Sequence, residues 1–518
     1  MDFIKGFDRN QLVMMDFEAN VEHDSWARVV DWFVDALPMD ELGFNDVLQS
    51  EGRPPYKASD LLKLFMYGYK KRLRSSRDLE AACKVNIEVI WLMKGLQPSA
   101  RKIAYFRKKN PKAFKQSFRY FVMMLKEMNL ISGETIAIDS FKIRAQNSLK
   151  NNFNQKKIDR HLEYIDGKIA EYENRLDQYD DIEDNQKEEI QDKIGWQQEK
   201  KEYYKSIEKE LNESGEAQIS KTDPDAKSVI LHRNVVNVGY NIQAGCDGKH
   251  KLFINNDTGT VNDTHALADM ALDAKELLGI DKMNCLTDKG YTTGVHIDTC
   301  TKNGITTYSS PKAHSSHNNG LFDMQIFDYN KENDTYTCPA GALMQRSGKI
   351  YKKRNHRVKR YYTKACDGCR LREKCTRNKM GRFIERSIYQ EALEENQKRV
   401  KQNPEYYRMR QQITEHQFGT LKRQWGFTFT LMKGKENVLT EVNLMMMVYN
   451  LRRLMSIFDT NQLKSLLKRL AYDFLQVFEP FRAVLSNLNL AQNNYRYKTL
   501  LINCSPMPSN GKLWYFYN

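Results

Sequence analysis

Two features that would place the chain in a membrane or outside the cell are absent from its sequence. Its 518 residues contain no run of 18 or more apolar residues, which excludes a membrane-spanning helix. The first six residues lack a charged segment followed by an apolar one, so we expect no secretory signal. Nine cysteines in so long a chain indicate thiols or metal ligands, not a disulfide framework. These absences predict a cytoplasmic protein without a membrane partner.

Positive charge is in excess, and most of the excess lies in one segment. The formal net charge is +15, and residues 349–382 contain 14 Lys and Arg but only two Asp and Glu. Such a concentration, with tyrosines interleaved, is typical of a surface that contacts the phosphates of nucleic acid. A solvated basic face is the alternative. The basic side chains expected at this surface are Lys352, Lys353, Arg354, Arg357, Lys359 and Arg360.

Three acidic residues lie in patterns that suit metal binding. Asp139 lies inside an apolar segment that predicts a buried strand, and Asp288 ends a second, short predicted strand. Acids in such places are costly unless they are paired or bound to a metal ion. Glu415 lies on a predicted helix, on one face with Phe418 and Lys422. By itself this spacing is typical of a solvated ion pair, but three carboxylates together suit Mg²⁺, which prefers oxygen ligands.

The segments around these acids resemble the motifs of the DDE transposases of bacterial insertion sequences, in the superfamily related to insertion sequence four. IAIDS around Asp139 resembles the strand with the first catalytic Asp, and TDKGY around Asp288 resembles the second motif. YYRMRQQITEHQFGTLK, residues 406–422, resembles the signature around the catalytic Glu. In the usual form three residues separate Arg and Glu, whereas four separate Arg410 from Glu415 here. The resemblance covers most of the chain.

This resemblance implies a ribonuclease-H-like α/β catalytic core and a transposase activity. Asp139, Asp288 and Glu415 would hold Mg²⁺ or Mn²⁺ and cleave a phosphodiester to free a 3′-OH, which would then be joined to target DNA. The partners would be the terminal inverted repeats of the element and the target DNA. We expect a homodimer or higher oligomer on DNA, in the bacterial cytoplasm at the nucleoid. The DNA contacts expected in the same signature are Lys422, Arg410 and Tyr407.

Two other functions are weighed against this one. A domesticated transposase that acts as a non-catalytic DNA-binding regulator would be marked by the loss of one of the three acids, and none is lost. A metal-dependent DNA nuclease without strand transfer is not separated from a transposase by the sequence.

The first 125 residues are predicted to form an all-α N-terminal DNA-binding domain. Short predicted helices with Lys and Arg at their starts, and a basic cluster at residues 70–74, favour a helix-turn-helix-like DNA reader. A plain helical bundle with solvated lysines is the alternative. The pattern from Phe7 to Phe44 resembles the helical N-terminal domain of the same transposases.

Residues 155–212 are predicted to form an antiparallel helical hairpin inserted into the core. An apolar residue recurs every four and three positions from Ile158 to Tyr179, which predicts a heptad seam. With 11 Lys and Arg against 17 Asp and Glu, this segment is a poor surface for DNA. We expect a self-packed hairpin, with spacing or self-association as its role.

The predicted core comprises residues 130–154 and 219–300, and it continues after the insert at 401–458. Strand, hairpin strands, helix and strand follow in the order expected for a ribonuclease-H-like fold. Asp263 and His265 are predicted to be N-cap and first-turn residues of the helix, without a chemical role. A helical tail over residues 459–518 has no assigned function.

Residues 301–400 are predicted to form a basic, cysteine-rich insert that is similar to a zinc ribbon. A CxxC pair with two further cysteines fits a tetrahedral Zn²⁺ site. His356 is an alternative ligand, and four reduced thiols are the alternative without metal. Similar cysteine clusters at this place in related transposases favour Zn²⁺. The predicted ligands are Cys338, Cys366, Cys369 and Cys375.

Overall fold

A computed structural model describes most of the chain. The described residues are 10, 14–44, 54–178, 184–232, 235–259, 261–311, 320–353 and 356–469. The predicted tail beyond residue 469, the start of the Phe7–Phe44 pattern and the predicted DNA contact Arg354 lie outside them. In the described ranges, no helix combines the length and the apolar character that a membrane crossing requires.

In the described part of the chain, six helices precede the first strand. They are α1 Trp26–Asp35, α2 Ala58–Lys70, α3 Ser76–Val85, α4 Ile87–Leu92, α5 Ala100–Lys109 and α6 Pro111–Glu127. Ser25 and Ser75 cap α1 and α3, because their side chains accept a backbone N–H of the first turn. Pro111 stands at the start of α6, where the N–H that it lacks would have no helical partner.

A six-stranded sheet forms the centre of the molecule. Its strands are β1 Thr135–Arg144, β4 Lys227–His232, β5 Val235–Asp247, β6 Phe253–Asp257, β7 Met283–Thr287 and β8 Ile305–Ser309. Their order is β4-β5-β1-β7-β8, and β6 also pairs with β5. β1 runs antiparallel to β5 and parallel to β7, which in turn is parallel to β8. The sheet therefore changes from antiparallel to parallel pairing at β1.

Helices connect and cover these strands. They are α9 Leu267–Leu278, α10 Gly294–Lys302, α12 Gln390–Gln402, α13 Pro404–Gly419 and α14 Lys435–Leu454. α9 and α10 make the crossovers to β7 and β8, since parallel strands cannot be joined by a tight turn. α13 packs against β1, β5 and β7, while α14 packs against β6, α2 and α6. One hydrophobic core runs from the N-terminal helices through the sheet to α14.

α14 also supplies hydrogen bonds to strand β6. The fully buried side chain of Asn450 donates from Nδ2 to the carbonyl of Phe253 and accepts the N–H of Phe253 at Oδ1, both at 2.9 Å. The amide of Asn450 thus bonds the backbone N–H and C=O of Phe253 as a neighbouring strand would. Buried backbone groups need such partners.

A buried charged contact joins α14 to the N-terminal helices. Glu441 is fully buried, and its Oε1 accepts the N–H groups of Leu431 and Met432 at 2.8 and 2.7 Å. Its Oε2 lies 3.8 Å from Nη1 of Arg74. Burial raises the pKa of Glu441, and the cations Arg107 and Arg74 oppose that shift. This contact fixes the approach of α14 to the loop after α2.

A helical hairpin projects from the sheet. Its helices are α7 Gln155–Gln178 and α8 Asp184–Ser214, and short strands β2 Asn152–Phe153 and β3 Ile219–Ser220 pair at its base. Ile158 and Ile207 lie in its own small core. Lys201 reaches Asp166 at 2.6 Å across the hairpin. The apolar seam predicted from the sequence therefore faces the partner helix, although its last member, Tyr179, lies outside the described residues.

The cysteine-rich insert forms a second sheet of five strands. They are β9 Asp328–Asn330, β10 Thr335–Thr337, β11 Leu343–Lys353, β12 His356–Tyr362 and β13 Ile384–Ser387. The order is β13-β12-β11-β10-β9, with every pair antiparallel. The insert has its own small core of aromatic and aliphatic residues. The short helix α11 Arg372–Cys375 lies between β12 and β13.

The link between Asn450 and β6 can be tested by removing the amide. Asn450→Ala leaves the N–H and C=O of Phe253 buried without partners, which costs about 2–4 kcal/mol. We expect a clearly lower urea midpoint of unfolding. Asn437→Ala is the control, because that side chain makes only an exposed hydrogen bond on the same helix. Equal midpoints for the two variants would contradict this role of Asn450.

Candidate active site

The register of β1 and β7 brings two of the predicted acids together. Ile138 aligns with Thr287 in the parallel pair, so the residues that follow, Asp139 and Asp288, lie side by side. Burial raises the pKa of Asp139, and the nearby carboxylate of Asp288 adds to the rise. The N–H of Ser140 and the guanidinium of Arg410 oppose it.

The carboxylate of Asp139 is held by its own strand and by α13. Its Oδ1 accepts the N–H of Ser140 at 2.8 Å. Its Oδ2 accepts from Nη1 of Arg410 at 3.0 Å and from Oγ1 of Thr414 at 3.1 Å. One turn of α13 separates Arg410 from Thr414, so both point to the same oxygen. α13 therefore orients the first Asp of the site.

Asp288 caps the turn that follows β7. This turn is the 3₁₀ segment Lys289–Tyr291, and Oδ1 of Asp288 accepts the N–H of Gly290 at 2.7 Å. A methyl group on Gly290 would lie 2.9 Å from that oxygen and 3.3 Å from Oδ2 of Asp263. Glycine therefore leaves room for two carboxylates at this point.

Asp263 is not the N-cap that the sequence predicts. Its short 3₁₀ turn is capped by Asn262, whose side chain accepts the N–H of Thr264. The Oδ1 of Asp263 accepts instead from Nδ2 of Asn241 at 2.9 Å and from Nε2 of Gln243 at 2.8 Å. The prediction is wrong because these partners come from β5, about twenty residues earlier in the chain.

Glu415 occupies a different side of α13 from the residues that hold Asp139. An α-helix turns by about 100° per residue, so Thr414 faces Asp139 while Glu415 is exposed. Within the described residues, no hydrogen bond or salt bridge involves the Glu415 side chain. In the same part of the chain, no three His, Cys, Asp or Glu side chains are already close enough to hold a metal ion. The structure thus brings together Asp139 and Asp288, with Glu415 apart.

A π-helical turn, Thr420–Gln424, follows α13 and contains Lys422. In a π turn the hydrogen bonds run from residue i to i+5, so the chain turns by a different angle per residue than in an α-helix. Glu415 and Lys422, which are seven residues apart, therefore do not lie on one face of a continuous α-helix. The predicted shared face of one continuous α-helix is therefore wrong for Lys422.

Lys422 lies among other cations. Burial lowers its pKa, and Lys142 and Arg423 lower it further. None of these three side chains forms a salt bridge with an acid in the described ranges. This uncompensated cationic cluster suits an anionic ligand.

The tyrosines of the α13 signature are used inside the protein. The hydroxyl of Tyr407 donates to the carbonyl of Thr287 at 3.2 Å, and that of Tyr406 lies 2.7 Å from Oγ1 of Thr135. These bonds tie α13 to the first residue of β1 and the last residue of β7. Tyr407 and Arg410 thus position the helix and Asp139 in this structure.

Four cysteines of the insert line one small cavity. Burial raises the pKa of Cys375, Arg382 opposes the rise, and the other three thiols add to it. A turn places Cys369 beside Cys366, whose backbone carbonyl accepts the N–H of Cys369. The thiols are neighbours without forming a ready metal site within the described residues. The cavity-lining cysteines are Cys338, Cys366, Cys369 and Cys375.

The basic charge of the insert is partly neutralised by the fold. Lys359 lies 3.1 Å from Asp334, and Arg360 lies 3.0 Å from Glu385. Burial acts to raise the pKa of Asp334, but hydrogen bonds from two tyrosines and from Lys359 bring it to about 2. Lys352 and Arg357 are exposed, whereas the side chain of Lys353 and the residue Arg354 lie outside the described part.

Two family models match the chain. The model described as "Transposase DDE domain" matches residues 337–455, from β10 through α14. The model described as "Transposase domain (DUF772)" matches residues 15–109, which contain α1 to α5. Both domains are typical of the transposases of bacterial insertion sequences, and together they indicate a transposase function. Glu415 of this transposase lies inside the first match, while Asp139 and Asp288 lie outside both.

Other comparisons add little about the transposase. No curated protein matches it at a significant level. A cryo-EM structure of the piggyBac transposase synaptic complex with hairpin DNA is 8% identical, with 89% of this chain and 82% of that chain covered and a TM-score of 0.30. A likeness at this level does not establish a shared fold.

The sequence did not predict the roles of two residues of the site. Thr414 lies within the signature of residues 406–422 but is not a position that the signature marks, and the sequence predicts for Asp263 only a helix cap. A signal existed for Asp263, because Asn241 and Gln243 are buried polar residues at alternate positions of β5, and so face the same side. Buried amides on one face predict a polar partner beside that strand.

Gly290→Ala tests whether the space between the carboxylates matters. The new methyl group meets the end of the Asp288 side chain, which must turn away and lose its bond to the N–H of residue 290. We expect little change in the unfolding temperature but about tenfold weaker Mn²⁺ binding, equal to about 1.4 kcal/mol. Isothermal titration calorimetry measures the affinity. Gly167→Ala, which adds its methyl group in open space on α7, is the control.

Proposed function

We propose that the transposase cleaves phosphodiester bonds at the ends of its element, frees a 3′-OH and joins it to target DNA. The observation that best supports this proposal is the pairing of Asp139 and Asp288 on adjacent parallel strands. Two neighbouring, half-buried carboxylates cost the fold free energy unless they bind a cation. The transposase family of the chain provides the reaction class.

A ribonuclease-H-like core is part of the proposal. The spatial order of the strands, β6-β5-β1-β7-β8, supports it. β6, β5 and β1 pair antiparallel, and β7 and β8 extend the sheet in parallel with β1. The catalytic pair then lies at the central strand and its parallel neighbour. Residues 130–154, 219–300 and 401–458 would form this core, with the hairpin of residues 155–212 and the insert of residues 301–400 as additions.

Asp139 and Asp288 would hold Mg²⁺ or Mn²⁺, and Glu415 would complete the set. These carboxylates suit Mg²⁺ because it prefers oxygen ligands. Proteins commonly hold Mg²⁺ with one or two carboxylates, while water and substrate phosphates supply its other ligands. When bound, such ions activate an attacking oxygen and stabilise a leaving one. Arg410 and Thr414 keep the Asp139 carboxylate oriented. Glu415 is exposed on α13, and among the described residues its side chain has no hydrogen bond or salt bridge to lose before it joins.

The cationic cluster beside α13 would bind the DNA backbone. Within the described ranges, no acidic side chain pairs with Lys142, Lys422 or Arg423. Because Lys422 is partly buried, keeping its ammonium group charged without a counter-ion costs free energy. A phosphate would relieve that cost. We place Lys422 against a phosphate near the cut, and Lys352 and Arg357 of the insert against the backbone farther away.

The N-terminal helices would bind the ends of the element. α3 packs against α5, and α5 exposes Arg101, Lys102, Tyr105 and Lys108 on one side. A short helix with exposed basic and aromatic residues, braced by a second helix, suits the major groove. Because such an enzyme acts on two ends at once, we propose a homodimer or higher oligomer on DNA.

The first experiment supplies DNA with the element's end already cut to expose the 3′-OH. Wild type with Mg²⁺ or Mn²⁺ should join this end to target DNA. Asp139→Asn, Asp288→Asn and Glu415→Gln should each slow cleavage and joining by at least about a hundredfold, because each removes charge stabilisation at the reacting phosphate. Gel assays of cleaved and joined products measure both steps. Glu436→Gln, at an exposed position of α14, is the control.

Each outcome separates the candidate functions. Cutting without joining would indicate a nuclease. Sequence-specific binding to the ends without any cutting would indicate a DNA-binding regulator. Full activity of Glu415→Gln, together with inactive Asp variants, would remove Glu415 alone from the site.

We also propose that the four cysteines of the insert hold Zn²⁺. Four neighbouring thiols match the ligand set of structural zinc sites. Elemental analysis of the purified protein should find about one zinc per chain, and Cys369→Ser should lower it strongly. Cys300→Ala, on α10 away from this cavity, should keep the wild-type content. A wild-type protein without zinc would contradict the proposal.

A further inference from the structure

Asp263 lies beside Asp288, although the predicted set of three acids does not include it. A methyl group on Gly290 would come within 2.9 Å of Oδ1 of Asp288 and 3.3 Å of Oδ2 of Asp263. Asp263 begins the 3₁₀ turn Asp263–His265, and Asp288 caps the 3₁₀ turn Lys289–Tyr291; these two turns pack against each other. Two carboxylates therefore share one small volume at the end of β7.

Amide groups hold Asp263 in place without neutralising it. Its Oδ1 accepts from Asn241 at 2.9 Å and from Gln243 at 2.8 Å, and both amides belong to buried residues of β5. In the described part of the chain, no Lys, Arg or His forms a salt bridge with Asp263. Neutral donors leave the charge of a carboxylate in place. Asp263 and Asp288 thus lie on either side of the same glycine, an arrangement of two acids that a cation would stabilise.

A buried oxygen without a partner lies at the same place. Asn241 is 2% exposed, and its Oδ1 has no hydrogen-bond partner among the described residues. The Nδ2 of the same amide donates to Asp263, so this oxygen lies next to the carboxylate. An unmatched buried acceptor costs free energy. It suits a site that takes up a cation or a water molecule held by one.

Tyr291 connects Asp263 with the first Asp of the site. Its hydroxyl donates to Oε1 of Gln243, the same side chain that holds Asp263. Burial raises the pKa of Tyr291, and the carboxylates of Asp263, Asp139 and Asp288 raise it further. The fully buried phenol thus lies near all three acids. Asp263 belongs to the same cluster as the predicted pair.

We propose that Asp263 is a further carboxylate ligand of the divalent cation bound by Asp139 and Asp288. This inference rests on the proposed function. It adds a ligand from the turn after β6, separate from Glu415 on α13. No three acids of the described residues are yet close enough to hold the cation, so the three side chains would have to turn toward it on binding. Because Asp263 already lies beside Asp288 in the protein alone, this closure should not need DNA.

The test measures Mn²⁺ binding to the full chain without DNA, by titration calorimetry and by the rise in unfolding temperature. Asp263→Asn should weaken Mn²⁺ binding at least about tenfold and reduce the metal-induced rise in unfolding temperature. The unfolding temperature without metal should stay equal or rise, because the variant removes one of two neighbouring acids. Asp269→Asn, an exposed acid on α9, is the matched control, and Asp288→Asn is the positive reference.

The outcomes distinguish this inference from the proposed function. Wild-type Mn²⁺ affinity in Asp263→Asn, with loss of binding in Asp288→Asn, would overturn the role of Asp263 alone. A lower metal-free unfolding temperature with unchanged affinity would assign Asp263 a structural role and overturn the inference. Absence of Mn²⁺ binding by wild type, or wild-type binding by Asp288→Asn, would overturn both.

Discussion

The parallel pairing of β1 with β7 is the constraint on which the candidate active site depends. Asp139 and Asp288 are neighbours only because Ile138 aligns with Thr287. A slip of one residue would move one acid by about 3.3 Å and turn it to the other face of the sheet. Burial prevents such a slip, since Ile138 and Leu286 are both fully buried and a shifted register would misplace them. Packing of apolar side chains thus sets the position of two carboxylates that the core itself does not need.

Polar contacts then attach the helices to this sheet with directional precision. Tyr407 bonds to the end of β7, Arg410 to Asp139, and Asn450 to the backbone of β6. A hydrophobic face alone lets a helix slide or rotate with little change in free energy, whereas a hydrogen bond between buried groups is lost on a small displacement. The two acidic motifs on β1 and α13 are far apart in the chain, and these bonds fix their positions relative to each other.

Apart from the salt bridge between Arg410 and Asp139, acidic and basic side chains form two separate groups around the site. Asp139, Asp263 and Asp288 all raise the pKa of the buried Tyr291, while Lys142 and Arg423 lower the pKa of Lys422 near the end of α13. Neither group neutralises the other, which is costly for a protein that acts on no charged ligand. The arrangement agrees with a DDE transposase, whose family generally uses divalent metal ions and acts on DNA. The carboxylates suit the cation and the lysines suit the polyanion.

Local patterns in the sequence determined β1 and β7 with their acids, α13, the apolar seam of the hairpin and the motifs that mark the transposase family. Each of these features depends on residues within a few positions of one another. Over such short distances, the spacing of apolar residues and the backbone preferences of each residue determine the structure. Only the tertiary structure decided that Asp263 meets Asp288, that Thr414 faces Asp139 while Glu415 is exposed, and that Asp334 neutralises Lys359. These contacts join residues on separate elements. The distances between those residues follow from how elements pack, and packing energy depends on the whole core and not on any one segment.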